Sequence, residues 1–186
     1  MIQRFEEEIL NEYKQGKIKT PIHLSGGNEE QLKDICGYIN KQDWIFSTWR
    51  SHYHWLLSGR SPKELKKQII DGHSMSVFGD RFFTSSIVGG IAPIAVGVAY
   101  SIKRRKSNDW VWCFIGDMAS ECGIVSESIR YAQGHDLPIT FVIEDNGMSV
   151  DTNTKEVWGV CNTSKVTRYY YTRKYPHAGI GHKVLF

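Results

Sequence analysis

WVWCFIGDMASECGIVSESIRYAQGHDLPITFVIEDNGMSVD, residues 110–151, reads as strand, turn, helix, strand, turn. Residues 110–115 are an unbroken apolar run, as expected of a strand buried on both faces of a parallel sheet. GDMASE, residues 116–121, reads as a turn. Beyond it Val125, Ile129 and Ala132 recur at helical spacing over residues 122–133, and Gly134 supplies a stop. Pro138 opens a second buried strand, ITFVI at 139–143, which runs into EDNGMSVD. Two parallel strands joined by a crossover helix make a βαβ unit, so the fold expected here is α/β. Such sheets place ligands just beyond the carboxyl ends of their strands.

Asp117 follows the first of these strands and Asn146 the second, so both side chains sit at the carboxyl edge and can converge. A carboxylate, an amide oxygen and a nearby backbone carbonyl are hard oxygen ligands that suit magnesium or calcium rather than zinc. The helix start after Met118 offers free N–H groups to an anion. Metal and anion together imply a bound phosphate or diphosphate.

Composition sets outer bounds. The 186 residues suffice for one domain with a core, and 41% hydrophobic with 23% charged residues is ordinary for a soluble protein. A net charge of +3 is too mild to argue for nucleic acid or a membrane surface. No apolar run reaches the roughly 20 residues of a membrane span. Residues 1–16 lack a signal-peptide apolar core and an Arg/Ser-rich transit pattern. Cys36, Cys113, Cys122 and Cys161 show no CxxC spacing and read as reduced thiols, which points to a cytoplasmic protein.

Upstream of the βαβ unit, residues 2–15 read as a helix with Phe5, Ile9, Leu10 and Tyr13 on one face. A helix capped by Asn28 follows, with Leu32, Ile35, Cys36 and Ile39 as its buried side. Residues 43–48 read as a short strand entering TWRSHYHWLLSG, in which Arg50, His52 and His54 alternate with aromatics. SPKELKKQII, residues 61–70, is a helix with Ser61 at its N-cap and Pro62 at its first position. Pro93 begins another, packing through Ala95, Val98, Ala99 and Ile102, with the basic run 103–106 at its carboxyl end. Residues 155–186 are aromatic and basic, suggesting a subunit interface or loop lid, and HKVLF at 182–186 reads as a last strand.

The GD turn, crossover helix and DN turn resemble the signature of thiamine diphosphate-dependent enzymes. The wider pattern is similar to the alpha subunit of the first, decarboxylating component of 2-oxo-acid dehydrogenases; a transketolase amino-terminal domain is the next closest. Four further blocks carry the resemblance. HLSGGNEE, from His23, resembles H-L-x-x-G-Q-E-A, with Asn28 in place of Gln. WRSH, from Trp49, resembles Y-R-x-H, with the tyrosine replaced. SSIVGGIAPIAVGVA resembles I-V-G-x-x-x-P-x-A-x-G-x-A. GHSM resembles the family's G-G-S-M-H, but Ser76 stands at the histidine position and His73 lies three residues earlier.

The resemblance implies a three-layer fold, a mostly parallel sheet with helices on both faces, and thiamine diphosphate with Mg2+ (or Ca2+) as cofactors. Asp117, Asn146 and the carbonyl of Met148 would bind the metal. Arg50, Trp49, Gly116, Met118, Ala119 and Asn146 would line the diphosphate, and main-chain groups at Gly89 and Ile91 the aminopyrimidine ring. His23, His52 and His177 are the candidate catalytic histidines. Met118 replaces the family's glycine and puts a side chain beside the diphosphate turn. Residues 1–186 match a single diphosphate-binding domain with a short amino-terminal helix and an abbreviated carboxyl-terminal region. The glutamate that protonates the aminopyrimidine is expected from a separate pyrimidine-binding, beta-type subunit in a heterotetramer, with no nucleic acid or membrane partner. Decarboxylation of a 2-oxo acid with acyl transfer is the expected reaction. Transketolase-like ketol transfer or carboligation is the alternative, and a non-catalytic relative that keeps the fold a second. A Rossmann-type nucleotide binder needs G-x-G-x-x-G after the first strand, which GDMASE does not supply.

Overall fold

The computed structural model describes residues 2–159 and 166–175. In chain order it contains α1 (Ile2–Lys14), α2 (Glu29–Cys36), β1 (Trp44–Ser47), α3 (His52–Leu57), α4 (Pro62–Ile70), β2 (Phe78–Gly79), β3 (Phe82–Thr84), α5 (Ile91–Arg105) and β4 (Val111–Gly116). There follow α6 (Asp117–Ser120), α7 (Gly123–Gly134), β5 (Ile139–Asp145), β6 (Met148–Ser149), β7 (Thr152–Asn153), α8 (Thr154–Trp158) and β8 (Thr167–Tyr170).

The main sheet has six strands in the order β2-β3-β1-β4-β5-β8. All neighbours pair in parallel except β2 with β3. Side-chain alternation along each strand builds the two cores. Ile45, Phe114 and Val142 point to one face, where they meet α1, α2 and α4 through Phe5, Ile9, Leu32, Leu65 and Ile69. Phe46, Cys113, Ile115, Phe141 and Ile143 point to the other, against Ala95, Ala99 and Ile102 of α5 and Val125 and Ile129 of α7. The three layers are those expected, and the apolar runs form strands buried on both sides at their centres, with Trp110 exposed just before β4.

Several local expectations are refined. GDMASE is a turn of helix, α6, with Asp117 at its first position, because the turn's backbone continues from the end of β4 into αR conformation. α5 begins at Ile91, so Pro93 lies in its first turn, where its missing N–H has no helical partner to lose. Asn28 stands at the start of α2 but makes no capping bond; its Nδ2 donates to the phenolic oxygen of Tyr169 at 3.0 Å. TWRSHYHW continues as helix α3, with His52, Tyr53, His54 and Trp55 all buried. The aromatic-basic segment, expected as a subunit interface or loop lid, contributes β8 at the sheet's edge, with Tyr169 buried. The strand expected at 182–186 lies outside the described residues.

The chain runs from β1 to its neighbour β3, then returns to place β4 on the other side of β1. Connections therefore leave the carboxyl ends of β1 and β4 towards opposite faces. That divergence opens the crevice in which doubly wound sheets take ligands.

Candidate active site

A cavity of about 360 Å3 lies at that crevice. Thr48, Trp49 and Arg50 reach it from the end of β1, Gly116 to Ala119 from the end of β4, and Glu144, Asn146, Met148 and Ser149 from the end of β5. Val88, Cys122, Val150, Val157, Trp158, Tyr171 and Arg173 complete the lining. Residues separated by about a hundred positions in the chain thus share one wall, because parallel strands bring every carboxyl end to the same edge.

Asp117 is buried, with 2% of its surface exposed. Thr154 Oγ1 donates to its Oδ2. Burial raises the Asp117 carboxyl above the usual carboxylate range; the Thr154 hydrogen bond opposes this and the Asp145 charge adds to it. Among the described residues no basic side chain is paired with Asp117, a setting that a bound cation would relieve. Asn146 Oδ1 accepts the Met148 N–H at 3.1 Å and its Nδ2 donates to Tyr171 Oη at 2.9 Å. Asp145 is engaged elsewhere, by Arg168 Nη1 at 2.6 Å.

Arg50 donates from Nη1 to the Leu24 carbonyl at 2.5 Å, and its guanidinium lines the cavity. Desolvation pulls its pKa down, Tyr171 and Glu6 oppose this, and Arg173 adds to it. Arg173 donates to the Val150 carbonyl at 2.8 Å and also lines the cavity. Two arginines lining one cavity suit an anion with several oxygens.

Of the sequence candidates, Trp49, Arg50, Gly116, Asp117, Met118, Ala119, Asn146 and Met148 come together here. Four others do not line the cavity. His23 is buried one layer back, its ring edge-on to Trp49 at 6.0 Å between centroids. His52 lies in the α-helical layer, 3.3 Å from Glu6 Oε1. Gly89 has φ +73 and packs beneath Ile124, while Ile91 is core; their neighbour Val88 is the residue that reaches the cavity. His177 lies outside the described residues.

Glu144, Tyr171 and Arg173 are cavity residues that the sequence reading missed. Glu144 Oε1 accepts from Tyr169 Oη and lies 3.2 Å from His54 Nε2. Glu144 stands directly before the DN turn, which is a signal. Tyr171 and Arg173 carry none, because the strand that delivers them has no distinct pattern.

The prospective cation ligands are one carboxylate, one amide and one carbonyl. Among the described residues no cluster of three or more His, Cys, Asp or Glu side chains gathers as a metal site, and this ligand set needs none. No helix among them is long and apolar enough to cross a membrane.

Residues 1–172 match the family described as dehydrogenase E1 component. The chain belongs to the dehydrogenase E1 component family. The pyruvate dehydrogenase E1 component subunit alpha of Rickettsia prowazekii is 30% identical to this E1-family chain over 177 residues, 89% of this chain and 54% of that protein. The alpha subunit of the acetoin:2,6-dichlorophenolindophenol oxidoreductase of Cupriavidus necator is 32% identical, covering 82% of this chain and 49% of that protein. The mitochondrial pyruvate dehydrogenase E1 alpha type I of Ascaris suum is 29% identical, covering 92% and 44%. The chain spans about half the length of the curated relatives it matches.

Proposed function

We propose that this E1-family chain is the diphosphate-binding, alpha-type half of a thiamine diphosphate- and magnesium-dependent enzyme. The reaction is decarboxylation of a 2-oxo acid with transfer of the resulting unit, either as the aldehyde or, when a two-electron acceptor such as a disulfide takes the electrons, as the acyl group. The observation that carries this reading is the convergence of Asp117, Asn146 and Met148 with Arg50 and Arg173 on one cavity at the sheet's switch point.

Thiamine diphosphate, when bound, supplies the carbanion-stabilising ring. The chain's own residues hold it. Asp117 and the oxygens of Asn146 and Met148 take the magnesium, whose charge offsets the diphosphate. Arg50 and Arg173 would take phosphate oxygens through charge-assisted hydrogen bonds. Trp49, Val88 and Trp158 give the cavity apolar walls. His23, behind Trp49, His52, beside Glu6, and His177 are the histidines proposed to handle protons.

The glutamate that protonates the aminopyrimidine belongs, in this reading, to a pyrimidine-binding domain. It is proposed to come from a separate beta-type subunit, giving a heterotetramer. A second reading is action on a hydroxy ketone, as in carboligation or ketol transfer; its support is that one relative is named for acetoin, a hydroxy ketone. The test is to purify this chain alone and with a pyrimidine-domain subunit. Thiamine diphosphate-dependent carbon dioxide release is then followed on a panel of 2-oxo acids, with acetoin consumption in parallel. Turnover is expected only from the two-chain complex. Tight cofactor binding and turnover by the single chain would overturn the two-chain reading, and acetoin turnover without carbon dioxide release would select the second reaction.

A further inference from the structure

Thr154 belongs to none of the motifs above, yet it ties the two halves of the cavity edge together. Its hydroxyl donates to Asp117 Oδ2, in the turn after β4. Its N–H donates to the Gly147 carbonyl at 3.0 Å, in the turn after β5. Four residues on, on the same face of α8, Trp158 Nε1 points to Met118 Sδ at 3.1 Å. α8 buries none of its residues, and these bonds tie it to the turns after β4 and β5. Asn153 Oδ1 accepts the Lys155 N–H at 2.8 Å and sets where the helix begins.

We propose that Thr154 is a positioning residue for the cation: it orients the Asp117 carboxylate and fixes the spacing between the Asp117 and Asn146 turns. This rests on the reading of Asp117 as a metal ligand. A carboxylate presents about four lone-pair sites, and Thr154 takes one of them. The terminal torsion of an aspartate is broad, so a bond to one oxygen selects which oxygen faces the cation. Hydrogen-bond partners behind a ligating carboxylate typically contribute about 10–100-fold in metal affinity.

The test is Tb3+ titration of the full chain, with sensitised emission excited through tryptophan. Tb3+ is a hard, oxygen-seeking probe, and both Trp49 and Trp158 line the cavity. Thr154→Val is expected to weaken Tb3+ binding by about 10–100-fold, with Thr154→Ser close to wild type. Competition with Mg2+ should shift in the same ratio. Circular dichroism melting without cation reports folding separately. If Thr154→Val does not fold, Thr154→Ser against Thr154→Ala makes the same comparison, and equal affinity of those two overturns the proposal. Unchanged affinity in folded Thr154→Val overturns it as well, provided Asp117→Asn abolishes binding. Should Asp117→Asn also bind Tb3+ like wild type, the cation-site reading itself fails.

Discussion

The side-chain amide of Asn146 donates to the Tyr171 phenol at 2.9 Å, so the turn after β5 is anchored to the residue that follows β8. Its other end, Oδ1, closes a local turn on the Met148 N–H. Asn146 therefore reaches the cavity with both polar ends fixed. Asn146→Ala or Asp117→Ala is expected to abolish magnesium-dependent cofactor binding with the fold retained, read by calorimetry in the presence of the partner subunit. Tyr171→Phe frees only the amide end and should weaken binding by about tenfold or less. Unchanged affinity in either alanine variant would remove the basis of the metal assignment.

Glu144 joins four elements. Tyr169 Oη donates to it, His54 Nε2 lies 3.2 Å away, and Asn28 Nδ2 donates to Tyr169 Oη at 3.0 Å. Tyr169→Phe leaves two buried polar groups short of a partner. A loss of about 1–3 kcal/mol in urea unfolding is expected. A change under about 0.5 kcal/mol would mean that water replaces the phenol.

Glu6 is buried with Oε2 lacking a hydrogen-bond partner among the described residues. Desolvation raises its pKa above 4.5, and His52, the Ser25 N–H and the Arg50 charge hold the rise back. The folded state then keeps a proton that the unfolded state has released. Stability contributed by the protonated form is present near pH 4.5 and is lost as pH rises through the folded pKa. Urea midpoints of wild type minus Glu6→Gln should fall as pH is raised from about 4.5 to 8. Parallel profiles would refute the assignment.

Gly27 adopts φ +94, and a Cβ there would lie 2.0 Å from the Thr172 carbonyl oxygen. The His23 loop is docked at this point on the segment carrying Arg173, as the Lys174 N–H bond to the Gly26 carbonyl at 3.1 Å also shows. Gly27→Ala should cost about 2 kcal/mol or more in thermal or urea unfolding. Gly59→Ala is the control: φ is +79 but the space is open, so about 1 kcal/mol is expected. Equal losses in the two variants would show that the close approach to Thr172 is unimportant.

The βαβ unit at 110–151 was legible because burial on both faces writes itself into the chain as unbroken apolar runs, and turn residues punctuate them. The placement of Asp117 and Asn146 at one edge followed from parallel pairing alone. His54 and Glu144 are ninety positions apart and meet through packing of α3 on the sheet, which no local pattern encodes. The same holds for Arg173, delivered by a polar edge strand, and for Thr154, whose hydroxyl gains meaning only once α8 lies over α6. Sequence by itself determined the longer helices, the two strands of the βαβ unit and the edge at which the chemistry gathers, since periodicity and turn chemistry are local. Which side chains converge there was decided by tertiary structure, since hydrogen bonds and burial depend on distances that only the packed layers set.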